Sequence, residues 1–75
     1  MGTKTTLSVV IPFYNEEENL QKLGYGLNTL FRNFNQVQAE VIFVDDGSND
    51  GSVNCLKTLK HRYYNLKLIR LSKNF

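Results

Sequence analysis

The chain has 75 residues, of which 41% are hydrophobic, a formal net charge of +2 and one cysteine, Cys55. That length holds one small domain, the composition excludes a disordered chain, and a lone cysteine excludes an internal disulfide. No run is apolar enough to span a bilayer, and the N-terminus lacks the apolar core of a signal peptide. Met1-Gly2 with Thr6 formally fits a myristoylation pattern that is short enough to arise by chance.

The modest net charge hides an asymmetry. Residues 1–50 carry three basic and seven acidic side chains, whereas residues 51–75 carry six basic and none acidic. Lys57, Lys60, Arg62, Lys67, Arg70 and Lys73 read as a solvated helix face plus strand ends. No nucleic-acid module accompanies them, so no nucleic-acid partner is expected.

Leu7 to Pro12 reads as a first strand. Its nearly continuous apolar run suits a parallel strand covered on both faces, and Pro12, lacking an N–H, is expected to end it. Asn15 then reads as a helix N-cap, with Glu18 at capping-box spacing. Glu16, Glu17 and Glu18 place negative charge at the positive end of the helix dipole. Leu20, Leu23, Leu27, Leu30, Phe31 and Phe34 recur at spacings of three and four, which predicts one apolar face. Gly24 and Gly26 each weaken this helix by roughly 1 kcal/mol relative to alanine and mark close packing or a bend.

Glu40 to Val44 is the expected second strand, and Asp45 to Gly51 is turn chemistry. A second helix is predicted over Ser52 to Tyr63, with Val53, Leu56 and Leu59 inward and Cys55 as a buried thiol. Asn65 is expected to break it before a third strand, Leu66 to Leu71. His61, the one histidine, sits near that helix's end and has no partners at metal or triad spacing, so a surface role is expected. Strands alternating with helices imply right-handed crossovers and a parallel sheet. The expected fold class is α/β, a β-α-β-α-β half of a Rossmann-like domain, with residues 1–6 as a tail and 7–75 as the domain. In such sheets ligands sit beyond the carboxyl ends of the strands.

Two segments fall at that edge. The first runs Val10-Ile11-Pro12-Phe13-Tyr14-Asn15-Glu16, the second Val44-Asp45-Asp46-Gly47-Ser48-Asn49-Asp50-Gly51-Ser52. Carboxylates at a strand end accept from nucleobase N–H groups or ribose hydroxyls, or simply cap the next helix. Adjacent Asp45 and Asp46 repel, so one should be hydrogen-bonded or turned elsewhere. Tyr14 offers a ring to a base or ribose, and Glu16 an acceptor. Other motif readings fail. A calcium loop starting at Asp46 has Lys57 where its twelfth position needs Glu. No Walker-type loop is present, and Gly24-Tyr25-Gly26 does not follow a strand. The Asp pair ends the second strand rather than the first, unlike a phospho-receiver pocket.

Together, Ser8 to Leu20 and Val44 to Ser52 resemble the two opening motifs of family 2 glycosyltransferases with the GT-A fold. Leu71-Ser72-Lys73-Asn74-Phe75 is similar to a segment of their polyprenyl-phosphate hexosyltransferase branch, which includes dolichyl-phosphate mannose synthases. That branch more often has Arg where this chain has Lys73. The resemblance implies that Pro12, Tyr14 and Glu16 line a nucleotide-sugar pocket, with Asp45 on the nucleobase and Asp46 shaping the loop or reaching the ribose. It implies a UDP- or GDP-linked hexose as donor and a polyprenyl phosphate or glycan as acceptor. It also implies inverting displacement assisted by a divalent cation, Mg or Mn, held by an Asp-x-Asp motif. After Asp50 the chain has no Asp or Glu. The metal ligands and the catalytic residues are therefore expected outside this chain, and the 75 residues alone are expected to be inactive. The whole enzyme is expected at the cytoplasmic face of a membrane, and an exposed sheet edge is expected to favour self-association.

Overall fold

A computed structural model describes residues 5–34 and 36–71. The elements run β1 (Thr5–Phe13), α1 (Glu17–Arg32), β2 (Val37–Asp45), α2 (Ser52–Thr58) and β3 (Asn65–Arg70). The three strands form one parallel sheet in the order β1-β2-β3, the expected β-α-β-α-β half-domain. Val9 stands opposite Val41, and Val41 opposite Leu66. Ser72, Lys73, Asn74 and Phe75 of the third motif, and the Met1-Gly2 pair, lie outside the described residues.

The sheet has two unlike faces. Alternate residues of a strand point to opposite sides. One side carries Val9, Ile11 and Phe13, then Ala39, Val41 and Phe43, then Leu66 and Leu68, and α1 and α2 cover it. Phe43 and Val41 are wholly buried there, and burial of each such side chain contributes about 1.5–3 kcal/mol. Phe13 meets Phe43 edge-on at 6.4 Å, and Phe31 tilts against Tyr64 at 6.0 Å. The expectation that β1 is covered on both faces is therefore corrected. Two right-handed crossovers between neighbouring strands, taken in the same direction, put both helices on one side. On the other side Val10 and Ile69 stand 60% and 48% exposed. Beside them Glu40 accepts from Ser8 at 3.1 Å and pairs with Lys67 at 2.6 Å.

Several element boundaries differ from expectation. β1 begins at Thr5, inside the expected tail, and runs through Pro12 to Phe13, with Pro12 opposite Val44. Proline is tolerated because β1 is an edge strand with one partner, β2. β2 is longer at both ends than expected, and β3 begins at Asn65 rather than after it. On α1, Leu20, Gly24, Leu27 and Phe31 form the buried stripe. Leu30 and Phe34 are exposed, because the sheet is too narrow to cover a wider arc.

α2 ends at Thr58 rather than Tyr63, and Leu59 is extended. The outward chain is held from α1. The Asn28 amide donates to the Lys60 carbonyl at 2.7 Å and accepts from Arg62 N–H at 3.1 Å. Leu59 packs onto Gly24, where a Cβ would lie 2.6 Å from Leu59 Cδ1. Gly24 thus marks a close approach, whereas a Cβ at Gly26 would meet open space. Cys55 is half-buried, and burial followed by the Glu17 charge raises its thiol pKa. His61 is exposed, with its ring 5.9 Å from that of Tyr64.

Candidate functional site

The carboxyl ends of β1 and β2 release two loops, Tyr14 to Glu16 and Asp46 to Gly51, that bond to each other. Asp46 N–H donates to the Phe13 carbonyl at 3.0 Å. Asn15 N–H donates to Ser48 Oγ at 2.8 Å, and Glu16 N–H to Ser52 Oγ at 2.9 Å. In return Asn49 N–H donates to Asn15 Oδ1 at 3.0 Å. Serine hydroxyls from the second segment thus satisfy the backbone donors of the first.

Backbone conformation explains the residue types. Asn15 has φ 49°, the left-handed region that asparagine tolerates better than other side-chain-bearing residues. Gly47 has φ 85°, where any side chain would be strained. The expected N-cap is corrected: Glu16 occupies that position, and the Asn15 side chain serves the neighbouring loop instead. The Glu16 carboxylate accepts from the Asn19 amide at 2.9 Å, and α1 has no side-chain cap hydrogen bond.

The two aspartates divide sharply. Asp45 is 0% exposed. Its Oδ1 accepts from Ser48 N–H at 2.8 Å, and its Oδ2 from Arg70 Nε at 3.3 Å. Burial pushes the Asp45 pKa up, but the Ser48 N–H and hydroxyl, together with Arg70, outweigh it and hold the pKa below the ordinary value. Its main-chain carbonyl accepts from Leu71 N–H at 2.9 Å. Asp46, by contrast, is exposed on the loop. The repulsion expected of adjacent carboxylates is relieved in this way, one turned inward and neutralised, the other turned to water. Asp50 accepts from Ser52 N–H at 2.9 Å, and its pKa is lowered chiefly by the Ser52 hydroxyl and then, against the opposing effect of burial, by that N–H.

The remaining expected site residues also gather here. Pro12 and Glu16 are exposed, and Tyr14 is half-exposed, all on the end of β1 or the loop beyond it. Ser48, Ser52 and Arg70 also belong to this edge; Ser48 and Ser52 lie within the second motif, whereas no motif singled out Arg70. Arg70 arrives there through the register of β3, which sets it opposite Asp45 and which no motif encodes. Asn15, Glu16, Glu17, Glu18, Asn19 and Asp50 line a shallow acidic hollow beside the loops. Among the described residues no three histidine, cysteine or carboxylate side chains come together in a way that could hold a metal ion. With Asp45 buried against Arg70, the edge does not fit a divalent cation by itself. Among the described residues no helix is long and apolar enough to cross a membrane.

Comparison with known proteins agrees with this geometry. The family described as "Glycosyl transferase family 2" matches residues 8–75. An uncharacterised glycosyltransferase of Synechocystis is 38% identical over 69 residues, covering 92% of this chain and 21% of that protein. Dolichol-phosphate mannosyltransferase of Saccharomyces cerevisiae is 40% identical over 62 residues, covering 83% of this chain and 23% of that protein. An undecaprenyl-phosphate 4-deoxy-4-formamido-L-arabinose transferase of Pseudomonas fluorescens is 39% identical over 56 residues, covering 75% and 16% respectively. The chain therefore spans about a fifth of the length of such relatives. No solved structure matches. With its two loop motifs, its parallel half-sheet and relatives among the polyprenyl-phosphate sugar transferases, the chain belongs to glycosyl transferase family 2.

Proposed function

We propose that the β1–β2 edge is the donor half-site of a glycosyltransferase that moves a hexose, with inversion, from a UDP- or GDP-linked sugar to a polyprenyl phosphate or glycan. Pro12, Tyr14 and Glu16 form one wall of this pocket, and Asp46, seated above the enclosed Asp45, the other. The carrying observation is the exposed Asp46 carboxylate at the end of the central strand, beside a loop fixed by cross-loop hydrogen bonds. A carboxylate there accepts the imino N–H that uracil and guanine present. Because Asp45 is fully enclosed, we assign the direct base contact to Asp46. Asp45 acts from beneath by fixing Ser48 and the turn at Gly47. Tyr14 provides ring surface for the base or ribose, and Glu16 an acceptor for ribose hydroxyls. A divalent cation, Mg or Mn, belongs to the complete enzyme, with ligands outside the described residues. Dolichol- and undecaprenyl-phosphate transferases among the relatives support a lipid-phosphate acceptor, and on this reading the whole enzyme works at the cytoplasmic face of a membrane.

Isothermal titration of the chain with UDP and GDP tests the donor site. One of the two should bind, and Asp46→Ala should abolish binding while leaving the thermal midpoint unchanged. A folded chain that binds neither nucleotide refutes the reading. In that case the exposed edges of β1 and β3 favour a second one, a noncatalytic module that self-associates by strand pairing. Sedimentation would then show a concentration-dependent dimer.

A further inference from the structure

Arg70 is held in an unusual position. It stands directly opposite Asp45 on the neighbouring strand, and one nitrogen, Nε, donates to the enclosed carboxylate at 3.3 Å. The rest of the side chain is not enclosed, since Arg70 is 61% exposed where its partner is 0% exposed. A guanidinium has five N–H donors in a rigid fork and stays charged at all working pH values. With Nε engaged inward, the terminal nitrogens keep four donors at the edge where α/β sheets receive ligands.

The surrounding charge sharpens this point. The loops and strand ends of the edge carry Glu16, Asp46 and Asp50, and the first turn of α1 adds Glu17 and Glu18. An anionic or oxygen-rich ligand approaching such an edge meets carboxylates unless a cation accompanies them. Among the described residues, Arg70 is the one cationic side chain carried by these strand ends and loops. The other described cations lie on the helices, in the segment after α2, or at Lys67, whose ammonium pairs with Glu40 on the far face. The Asp45 bond also restricts the guanidinium beforehand, so less conformational entropy is lost when its outer nitrogens engage a ligand.

We propose that Arg70 is a ligand-facing residue of this edge: its Nε holds Asp45, and its terminal nitrogens donate to an oxygen of the bound nucleotide, from a base carbonyl or from the diphosphate. Both sources present the same chemistry, an oxygen acceptor that a guanidinium fork recognises. Beside the Asp46 acceptor, an Arg70 donor would match an N–H and C=O pair, the edge shared by uracil and guanine but absent from adenine. This inference rests on the donor-site reading and adds a residue to it.

The test compares the chain with Arg70→Gln and Arg70→Lys by titration with UDP, GDP, uridine and guanosine. The diphosphate that binds should lose about tenfold or more in Arg70→Gln, the scale of one charge-assisted hydrogen bond. Loss by the same factor for the nucleoside identifies the base carbonyl as the acceptor. Loss confined to the diphosphate identifies the phosphate. Either result upholds the proposal. Because Arg70→Gln also disturbs Asp45, a second readout uses the unaltered chain with 15N-labelled arginine. The terminal guanidinium resonances of Arg70 should shift and slow in rotation on saturation with the nucleotide. Unchanged resonances, or equal affinities for chain and variants, overturn the role of Arg70 and leave the donor site standing. A folded chain that binds none of the four ligands overturns both.

Discussion

Replacing Asp45 by asparagine isolates what the buried carboxylate does. The change keeps size and shape but removes the charge. A hydrogen bond to a charged group contributes about 1.5–3 kcal/mol and a neutral one about 0.5–1.5, so the Ser48 N–H bond weakens by roughly 1 kcal/mol. The pair with Arg70 adds at most about 1 kcal/mol, because Arg70 is largely exposed and returns to water when released. The amide must also turn its NH2 toward either Ser48 N–H or Arg70 Nε, setting donor against donor in a site closed to solvent. The total is about 2–3 kcal/mol once the loop relaxes partway. For a domain of this size that corresponds to a fall of roughly 10–20 °C in thermal midpoint. Circular dichroism melts of the wild-type chain, Asp45→Asn and Asp46→Asn measure it directly. Asp46→Asn is the control, with an expected change within about 0.5 kcal/mol because its carboxylate faces water. If Asp45→Asn melts within about 4 °C of wild type, the carboxylate contributes under about 1 kcal/mol and the reasoning fails.

Three further outcomes follow from the packing and the charges. The Tyr64 hydroxyl is buried without a hydrogen-bond partner among the described residues, and burial raises its pKa, so Tyr64→Phe should stabilise the chain by about 1 kcal/mol in urea unfolding. A lower midpoint would mean that the hydroxyl has a partner. Gly24→Ala gains about 1 kcal/mol in helix propensity but drives a Cβ to 2.6 Å from Leu59, an overpacking cost of about 1–3 kcal/mol. The net effect should be a loss, and a gain would show that Leu59 yields freely. Asp45, Asp50 and Glu40 all have folded pKa values below their ordinary ones, Glu40 chiefly through its Lys67 bond. Groups of this kind contribute stability that is complete above the ordinary carboxylate range, about 3.9–4.3, and is lost as pH falls through it toward the folded values. Urea midpoints should therefore be flat from neutral pH to about pH 5.5 and fall below it, less steeply in Asp45→Asn. A midpoint that rises on acidification would contradict the sign.

The order of elements was legible because the period of the apolar residues changes from two to about 3.6 and back. Leu20, Leu27 and Phe31 met the sheet as their spacing required. The width of the covered arc was not legible, because it depends on how many strands lie beneath the helix, and so Leu30 and Phe34 were placed inward in error. The end of α2 was hidden for a similar reason. Asn28, thirty-two residues away, takes the Lys60 carbonyl and directs the chain outward, and no local propensity encodes that. At the site, both loops were apparent from Pro12, Asn15, Gly47 and the acidic pair. Which aspartate faces solvent was not, because the answer lies in the register that brings Arg70 beside Asp45. The serines that close the loops accept from backbone N–H groups 33 and 36 residues away, which no local pattern encodes.

The bonds between the two loops join residues 33 to 36 positions apart in the chain, through Asn15 with Ser48 and Asn49 and through Glu16 with Ser52. The segments are coupled, because loss of the Ser48 hydroxyl removes the acceptor for Asn15 N–H, and loss of the Asn15 amide removes the acceptor for Asn49 N–H. The two stretches therefore behave as one unit, and a chain that loses the hydrogen-bonding groups of one loop leaves those of the other unpaired.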